Sequence, residues 1–307
     1  MKKEFNIIQK RKLWFAISGG MVALSLIVLL FFGLKLGIDF TGGSLLEVRF
    51  TQDVPAVEDV KVSMDSLELE GEITVQPTEG NGYIIRFQSI DEEVHQQIVT
   101  KLKESYNNPE AEEENLLEDR FEAIGPAIGQ ELRTKAVSSI LVVLISIVAY
   151  IAWAFRKISW PIKSWKYGII AIITLFHDIF ITLGIFAVLG RFMGVEIGLP
   201  FVAALLTILG YSVNDTIVVF DRIRENLSRL AKNNFENIVN RSVNETVTRS
   251  VNTSITTLLV LLAIFFFGGV SIKFFVLALI CGVVLGTYSS IFVASPLLVL
   301  WEKYTKK

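Results

Sequence analysis

GLPFVAALLTILGYSVNDTIVVF, residues Gly198 to Phe220, is a 23-residue apolar run that carries Asn214-Asp215 in its later part. A helix needs roughly 20 apolar residues to cross a bilayer, so the run is long enough to span. An ionised carboxylate inside such a helix costs about 2.5–3.5 kcal/mol on insertion scales. It persists where it faces a protein interior or a water path. Two readings stand: Asp215 carries protons or ions, or it belongs to a buried polar pair that locks helices together.

The rest of the chain fits a membrane setting. Of 307 residues, 52% are hydrophobic and only 20% charged, outside the range of ordinary soluble domains. Six runs approach spanning length: Leu13–Leu34, Ala136–Phe155, Gly168–Leu189, Gly198–Phe220, Val251–Phe267 and Phe274–Leu300. The first turns of the fifth are diluted by Asn252, Thr253, Ser254, Thr256 and Thr257. The expected layout is residues 1–36 with the first helix, a polar domain over 37–135, then five helices over 136–307 with a basic loop at 221–249.

Positive charge orients the helices. Lys2, Lys3, Lys10, Arg11 and Lys12 precede the first, and Lys303, Lys306 and Lys307 follow the last. Arg156, Lys157, Lys163 and Lys166 crowd the second-to-third loop, and Arg222, Arg224, Arg229, Lys232 and Arg241 the fourth-to-fifth. The positive-inside rule places these, and both termini, in the cytoplasm and the polar domain outside. The N-terminal run is too long for a usual signal core and lacks an A-x-A site, which points to a retained anchor. The basic segment from Asp221, DRIRENLSRLAKNN, reads as an amphipathic extension of the fourth helix, suited to anionic lipid or a partner, or as a plain orientation determinant.

The polar domain holds 22 Asp plus Glu against 8 Lys plus Arg, a net of −14. That sign excludes nucleic acid as its partner. Alternation marks strands at Ser44–Phe50, Glu72–Gln76, Tyr83–Gln88 and Leu116–Glu122. Helical periodicity marks Val57–Leu67 and Glu92–Ser105, the second with Asp91 placed to cap it. The order β-α-β-β-α-β is the split βαβ of ferredoxin-like α+β folds, and Asn81-Gly82 signals the middle hairpin. The block Glu110, Glu112, Glu113, Glu114 lacks the glycine of a calcium loop and reads as a solvated segment.

Enzymatic chemistry finds no foothold. No nucleophile triad, H-E-x-x-H or phosphate-binding glycine pattern occurs. His95 and His177 are the only histidines and Cys281 the only cysteine, which leaves no metal or disulfide framework. No cofactor is expected beyond a proton as coupling ion.

Polar residues recur at helical spacing within the membrane runs. Thr174, Asp178 and Thr182 share a face of the third helix, and Thr207, Tyr211 and Asp215 a face of the fourth. Arg249, Thr253 and Thr256 or Thr257 follow one side of the fifth. Together they suggest a hydrated seam, with Asn214 and Ser212 in support. The fourth and fifth helices run in opposite directions, so Asp215 and Arg249 lie at compatible depths for an ion pair. Burial favours the neutral acid and a nearby arginine the carboxylate, so moving the arginine would switch the proton on or off. A potential of 100 mV supplies about 2.3 kcal/mol per charge. His177, beside Asp178, is a proton relay or a neutral packing histidine. Gly282, Gly286 and Ser290 form a small-residue strip for close helix contact.

GIDFTGGS at Gly37–Ser44, His177-Asp178, GYSVNDTIVVFDRIREN at Gly210–Asn226 and NETVTRSVNTSITTLL from Asn244 closely resemble the SecF side of the SecD/SecF family, protein-export membrane subunits akin to the resistance-nodulation-division transporters. The resemblance covers nearly the whole chain. It implies pairing with a SecD protein of similar plan, association with the SecYEG channel, and YidC and YajC as further partners. The implied work is promotion of late, ATP-independent export of unfolded polypeptide by the proton-motive force in the bacterial cytoplasmic membrane. Asp215 then matches the family's proton-carrying aspartate, Arg249 its functional arginine, and Gly210, Tyr211, Ser212 and Asn214 the motif around it. Two rivals use the same charges differently: a proton antiporter for small molecules or lipid, and a structural assembly subunit.

Overall fold

The computed structural model describes residues 5–67, 73–78, 80–88, 91–107, 114–156, 163–230 and 234–305. The acidic block Glu110, Glu112, Glu113 and the expected strand start at Glu72 lie outside these. The chain forms two compact units. One comprises Met1–Lys35, Ser138–Val195 and Pro200–Lys307, the other Leu36–Val137 with Glu196–Leu199.

Six helical segments among the described residues have the length and composition to cross a membrane. They contain α1 (Arg11–Phe32), α5 (Pro126–Ala154), α6 (Ser164–Met193), α7 (Leu199–Arg229), α8 (Phe235–Phe267) and α9 (Val270–Ser289). The last of the six continues through a π-helical turn, Ser290–Ala294, into α10 (Ser295–Thr305). Helix α6 stops at Gly194 in the left-handed conformation, the usual glycine stop. Helix α8 starts where the Asn234 side chain accepts the Glu236 N–H. The membrane-length unit packs around Tyr167, Phe220, Val243 and Leu298, all fully buried.

The stretch 221–249, expected as a basic loop that opens on an amphipathic extension of the fourth helix, is mostly helix. Helix α7 runs on to Arg229 and α8 begins at Phe235. The charges explain it. Asp221–Arg224, Arg222–Glu225 and Glu225–Arg229 pair one turn apart at 2.5, 2.5 and 2.8 Å, spacings that support helix. Arg222 reaches across to Glu245 at 2.6 Å, and Asn226 donates to Ser242 and Glu245 at 3.0 and 2.8 Å. Glu236 collects both ends of the chain, with Arg11 at 2.7 Å and Lys303 at 2.5 Å.

The second unit is α+β. A short helix α2 (Ile38–Thr41) leads into β1 (Gly43–Phe50), α3 (Val57–Asp65), β2 (Thr74–Thr78), β3 (Gly82–Phe87), α4 (Glu92–Tyr106) and β4 (Leu116–Ile124). All neighbours are antiparallel in the order β2-β3-β1-β4, so β3 is inserted between β1 and β2 as a split βαβ requires. Leu46, Val48, Phe50, Ile85 and Phe87 pack from the sheet onto Val60, Met64, Ile98 and Leu102. Asn81 takes φ 66° in the hairpin turn, the conformation for which Asn is favoured. Asp91 occupies the position before α4, but its side chain makes no capping hydrogen bond. The buried His95 ring lies between Glu92 and Glu118, both at 3.0 Å, and stacks on Phe121.

The piece Glu196–Leu199, between α6 and α7 in sequence, is knitted into this unit. Ile197 pairs in parallel with Leu36 and accepts the Gly37 N–H at 2.9 Å. Asp39 accepts the Leu199 N–H at 2.7 Å. Arg86 Nε lies 2.8 Å from Glu196 Oε2, off the N–H axis, while Arg86 Nη1 donates to Gln76 at 2.6 Å. Burial lowers the Arg86 guanidinium below its ordinary value and the Glu196 carboxylate opposes this.

Gly43 enters β1 at φ 113°, and a Cβ there would stand 2.8 Å from the Phe87 carbonyl oxygen. Gly80 has φ 77° with open space around it. Gly80→Ala should therefore lose only the backbone term, about 1–2 kcal/mol, and Gly43→Ala distinctly more. Thermal unfolding of the purified chain in detergent checks the difference; equal losses would mean that the Phe87 contact gives way freely.

Candidate functional site

Asp178 and Asp215 lie within the apolar runs of α6 and α7, and serine hydroxyls hold both. Asp215 on α7 is half-buried. Its Oδ1 accepts Ser250 Oγ of α8 at 2.5 Å, and its Oδ2 accepts the Ser290 hydroxyl at the start of the π turn. Asp178 on α6 is completely buried. Its Oδ2 accepts Ser212 Oγ of α7 at 2.6 Å and Ser289 Oγ of α9 at 2.8 Å, and its Oδ1 lies 2.9 Å from His177 Nδ1. A carboxylate is an acceptor-only group, so these donors match ionised oxygens with hydrogen bonds that replace water.

Further hydroxyls extend the seam. Ser254 lies 3.2 Å from the Tyr211 hydroxyl, bonds to Thr287 of α9, and donates to the Ser250 carbonyl at 2.9 Å. Close backbone approach makes the α7–α9 contact possible. A Cβ at Gly286 would lie 2.9 Å from that of Ser212, and one at Gly282 would overlap Ile208. The strip Gly282, Gly286, Ser290 is thus the face of α9 that meets α7, and its serine touches Asp215.

Two sequence expectations change here. Among the described residues Arg249 makes no ion pair with Asp215; it is exposed, and the neighbouring Ser250 holds the carboxylate. Successive residues lie about 100° apart round a helix, so the inward stripe of α8 is Ser250–Ser254. Thr253 and Thr257 follow Arg249 on the other side. Thr257 donates to the Thr253 carbonyl at 3.0 Å and Thr253 is exposed. On α7, Thr207 is exposed and bonds its own helix at Ala203, while Asn214 is exposed beside a cavity of about 440 Å³ lined also by Ser146 and Tyr150. On α6, Thr174 and Thr182 are buried and bond back to Ile170 and to the Asp178 carbonyl.

His177 shares the site despite being adjacent to Asp178 in sequence. His177 Nδ1 is the ring nitrogen that faces the Asp178 carboxyl. Nε2 is buried without a partner, and the ring borders a cavity of about 470 Å³ lined by Ser18, Phe176, Phe180 and Leu297 among others. Sequence reasoning missed Ser250, Ser254, Thr287 and Ser289, and took Ser290 for packing alone. The available signal was the cluster of hydroxyls in Thr287-Tyr288-Ser289-Ser290, inside an otherwise apolar span.

The arrangement has known relatives. Residues 85–304 match the family described as protein export membrane protein SecD/SecF, C-terminal, and residues 27–54 match the SecD/SecF GG motif, which here includes Gly42 and Gly43. The chain belongs to the SecD/SecF family. It is 44% identical to the protein translocase subunit SecF of Thermobaculum terrenum, over 97% of this chain and 94% of that one. The subunit SecF of Anaerolinea thermophila is 38% identical, with 97% and 94% covered. The crystal structure of SecDF, a translocon-associated membrane protein from Thermus thermophilus, superposes with TM-score 0.82 at 36% identity, covering 98% of this chain and 39% of that longer one. SecDF in its super-membrane-facing form gives 0.69 at 34% identity, covering all of this chain and 40% of the other.

Asp178→Ala removes a shared partner of Ser212, Ser289 and His177 in a buried site. A stability loss of about 2–5 kcal/mol is expected, read as a lower unfolding temperature in detergent. An unchanged temperature would mean that the three side chains find other partners.

Proposed function

We propose that this chain is the SecF-type subunit of a protein-export machinery, working with SecD and using the proton-motive force to promote late, ATP-independent movement of unfolded polypeptide across the bacterial cytoplasmic membrane. The observation that carries the reading is Asp215, held between three membrane-length helices by Ser250 and Ser290. An ionised carboxylate satisfied by two movable hydroxyls can take up a proton by turning those hydroxyls. Loss of its charge loosens α8 and the π turn from α7, and restoring the charge draws them back. Arg249, one residue from Ser250, supplies positive charge near the site, and Asp178 with His177 forms a second proton-binding group beside it.

Orientation follows from the charges. Arg11, Glu236 and Lys303 meet at one end of the helices, which supports both termini on one side, and the positive-inside rule makes that side the cytoplasm. The α+β unit is then extracytoplasmic, where it meets emerging polypeptide. Several exposed residues on α7 and α8 are polar, namely Asn214, Arg249, Asn252 and Thr253. Bare lipid contact is unfavourable for them, and a SecD partner covering that surface removes the penalty. The SecDF relative, in which a matching segment fills 39% of a longer chain, supports the pairing. SecYEG, YidC and YajC as wider partners rest on family membership.

Translocation of a model preprotein into vesicles containing this chain, SecD and the translocon tests the reading. Asp215→Asn should remove the gradient-stimulated component and leave the ATP-driven component intact. Stimulation equal to the unmodified complex would reduce Asp215 to structural polarity and sink the proposal.

A further inference from the structure

We propose that Ser289 and Ser290, consecutive residues where α9 enters the π turn, position both intramembrane carboxylates and make the protonation of one depend on the other. The inference rests on reading Asp215 as a protonatable group and adds a second carboxylate and the device that links them.

The link is a closed circuit. From Asp178 one arm passes through Ser212 and, three positions further along α7, reaches Asp215. The other passes through Ser289 and its chain neighbour Ser290 to the same Asp215. Adjacent residues on a helix point about 100° apart, so one helix serves both the seam with α6 and the seam with α7 and α8. The wide turn assists. Pi-helical bulges break the regular i to i−4 ladder, and here Ser295 Oγ donates to the Ser290 carbonyl at 3.1 Å. The circuit has little slack, because Gly286 brings α9 against Ser212 itself.

Each serine also has an alternative acceptor one turn back. Ser289 Oγ is 3.2 Å from the Gly286 carbonyl, and Ser290 Oγ is 3.1 Å from that of Thr287. When Asp215 gains a proton, its new O–H donates to Ser290 Oγ, and Ser290 turns its own proton to Thr287. The donor leaves one carboxylate while its neighbour still binds the other. Beyond the two carboxylates, the titratable and charged groups around the circuit among the described residues are His177 on α6, Tyr211 on α7, Arg249 on α8, Tyr288 on α9, and Tyr150 on α5, which borders the cavity beside Asn214. Helix α1 brings the Ser18 hydroxyl, 3.0 Å from that of Tyr288.

The test is infrared titration of the full chain in lipid nanodiscs, with the carboxylic C=O bands of Asp215 and Asp178 assigned by subtracting Asp215→Asn and Asp178→Asn. Ser289→Ala removes a hydroxyl that, of the two carboxylates, touches Asp178 alone. It should nevertheless move the Asp215 midpoint by about 1 pH unit or more, the scale on which coupled sites titrate as a pair. Ser289→Thr, which keeps the hydroxyl, should restore it. Unfolding temperature and elution profile identify any misfolded variant, and then Ser289→Cys takes the place of Ser289→Ala. An Asp215 midpoint that stays fixed while the Asp178 band moves overturns the inference, as does failure of Ser289→Thr to restore it. Neither readout involves export, so a fixed midpoint leaves the functional reading intact. An Asp215 band that never titrates sinks both.

Discussion

Water is absent from the middle of a bilayer, so any charge placed there must be solvated by the protein. Here that solvation comes from serine hydroxyls on α7, α8, α9 and the π turn, with the His177 ring beside Asp178, and the packing of those helices brings them within reach. Gly282 and Gly286 let α9 approach α7, which puts Ser289 and Ser290 beside two different carboxylates. Hydroxyls suit the purpose because each can donate or accept and can turn without moving its helix. A lysine or arginine in the same place would fix the carboxylate in one charge state.

Much of this architecture is written in the pattern of residues. The apolar runs mark the six membrane-length helices, the alternation in the α+β unit marks its strands, and the Asn81-Gly82 turn places the hairpin. The carboxylates announce themselves, since nothing in an apolar helix conceals an aspartate. Their partners are quieter. Serine and threonine are common in membrane helices and usually bond their own backbone, as Thr174, Thr182 and Thr207 do. Which serine faces inward depends on the rotation of each helix, and spacing alone leaves that phase free. Hence Arg249, Thr253 and Thr257 look as good as Ser250 and Ser254 until the helices are packed.

The π turn lies outside periodicity altogether. A pattern of repeating residues assumes one uniform helix, whereas Ser290–Ala294 widens locally, just before Pro296, which has no N–H to give to the Phe292 carbonyl inside the turn. The extension of α7 past its apolar run is legible in the amphipathic segment from Asp221, whereas the start of α8 at Phe235 is not. Charged residues there argue against membrane and so read as loop, although ion pairs one turn apart are equally good evidence of helix.

The α+β unit is built from two separate lengths of chain, Leu36–Val137 and Glu196–Leu199. It is therefore not a cassette held at one insertion point. A chimaera that grafts a relative's 36–137 segment alone would set Glu196 and Ile197 of this chain against a foreign segment in place of their own Arg86, Leu36 and Gly37. The short connector between α6 and α7 has to travel with the domain, and relatives that exchange one without the other should be poor donors for engineering.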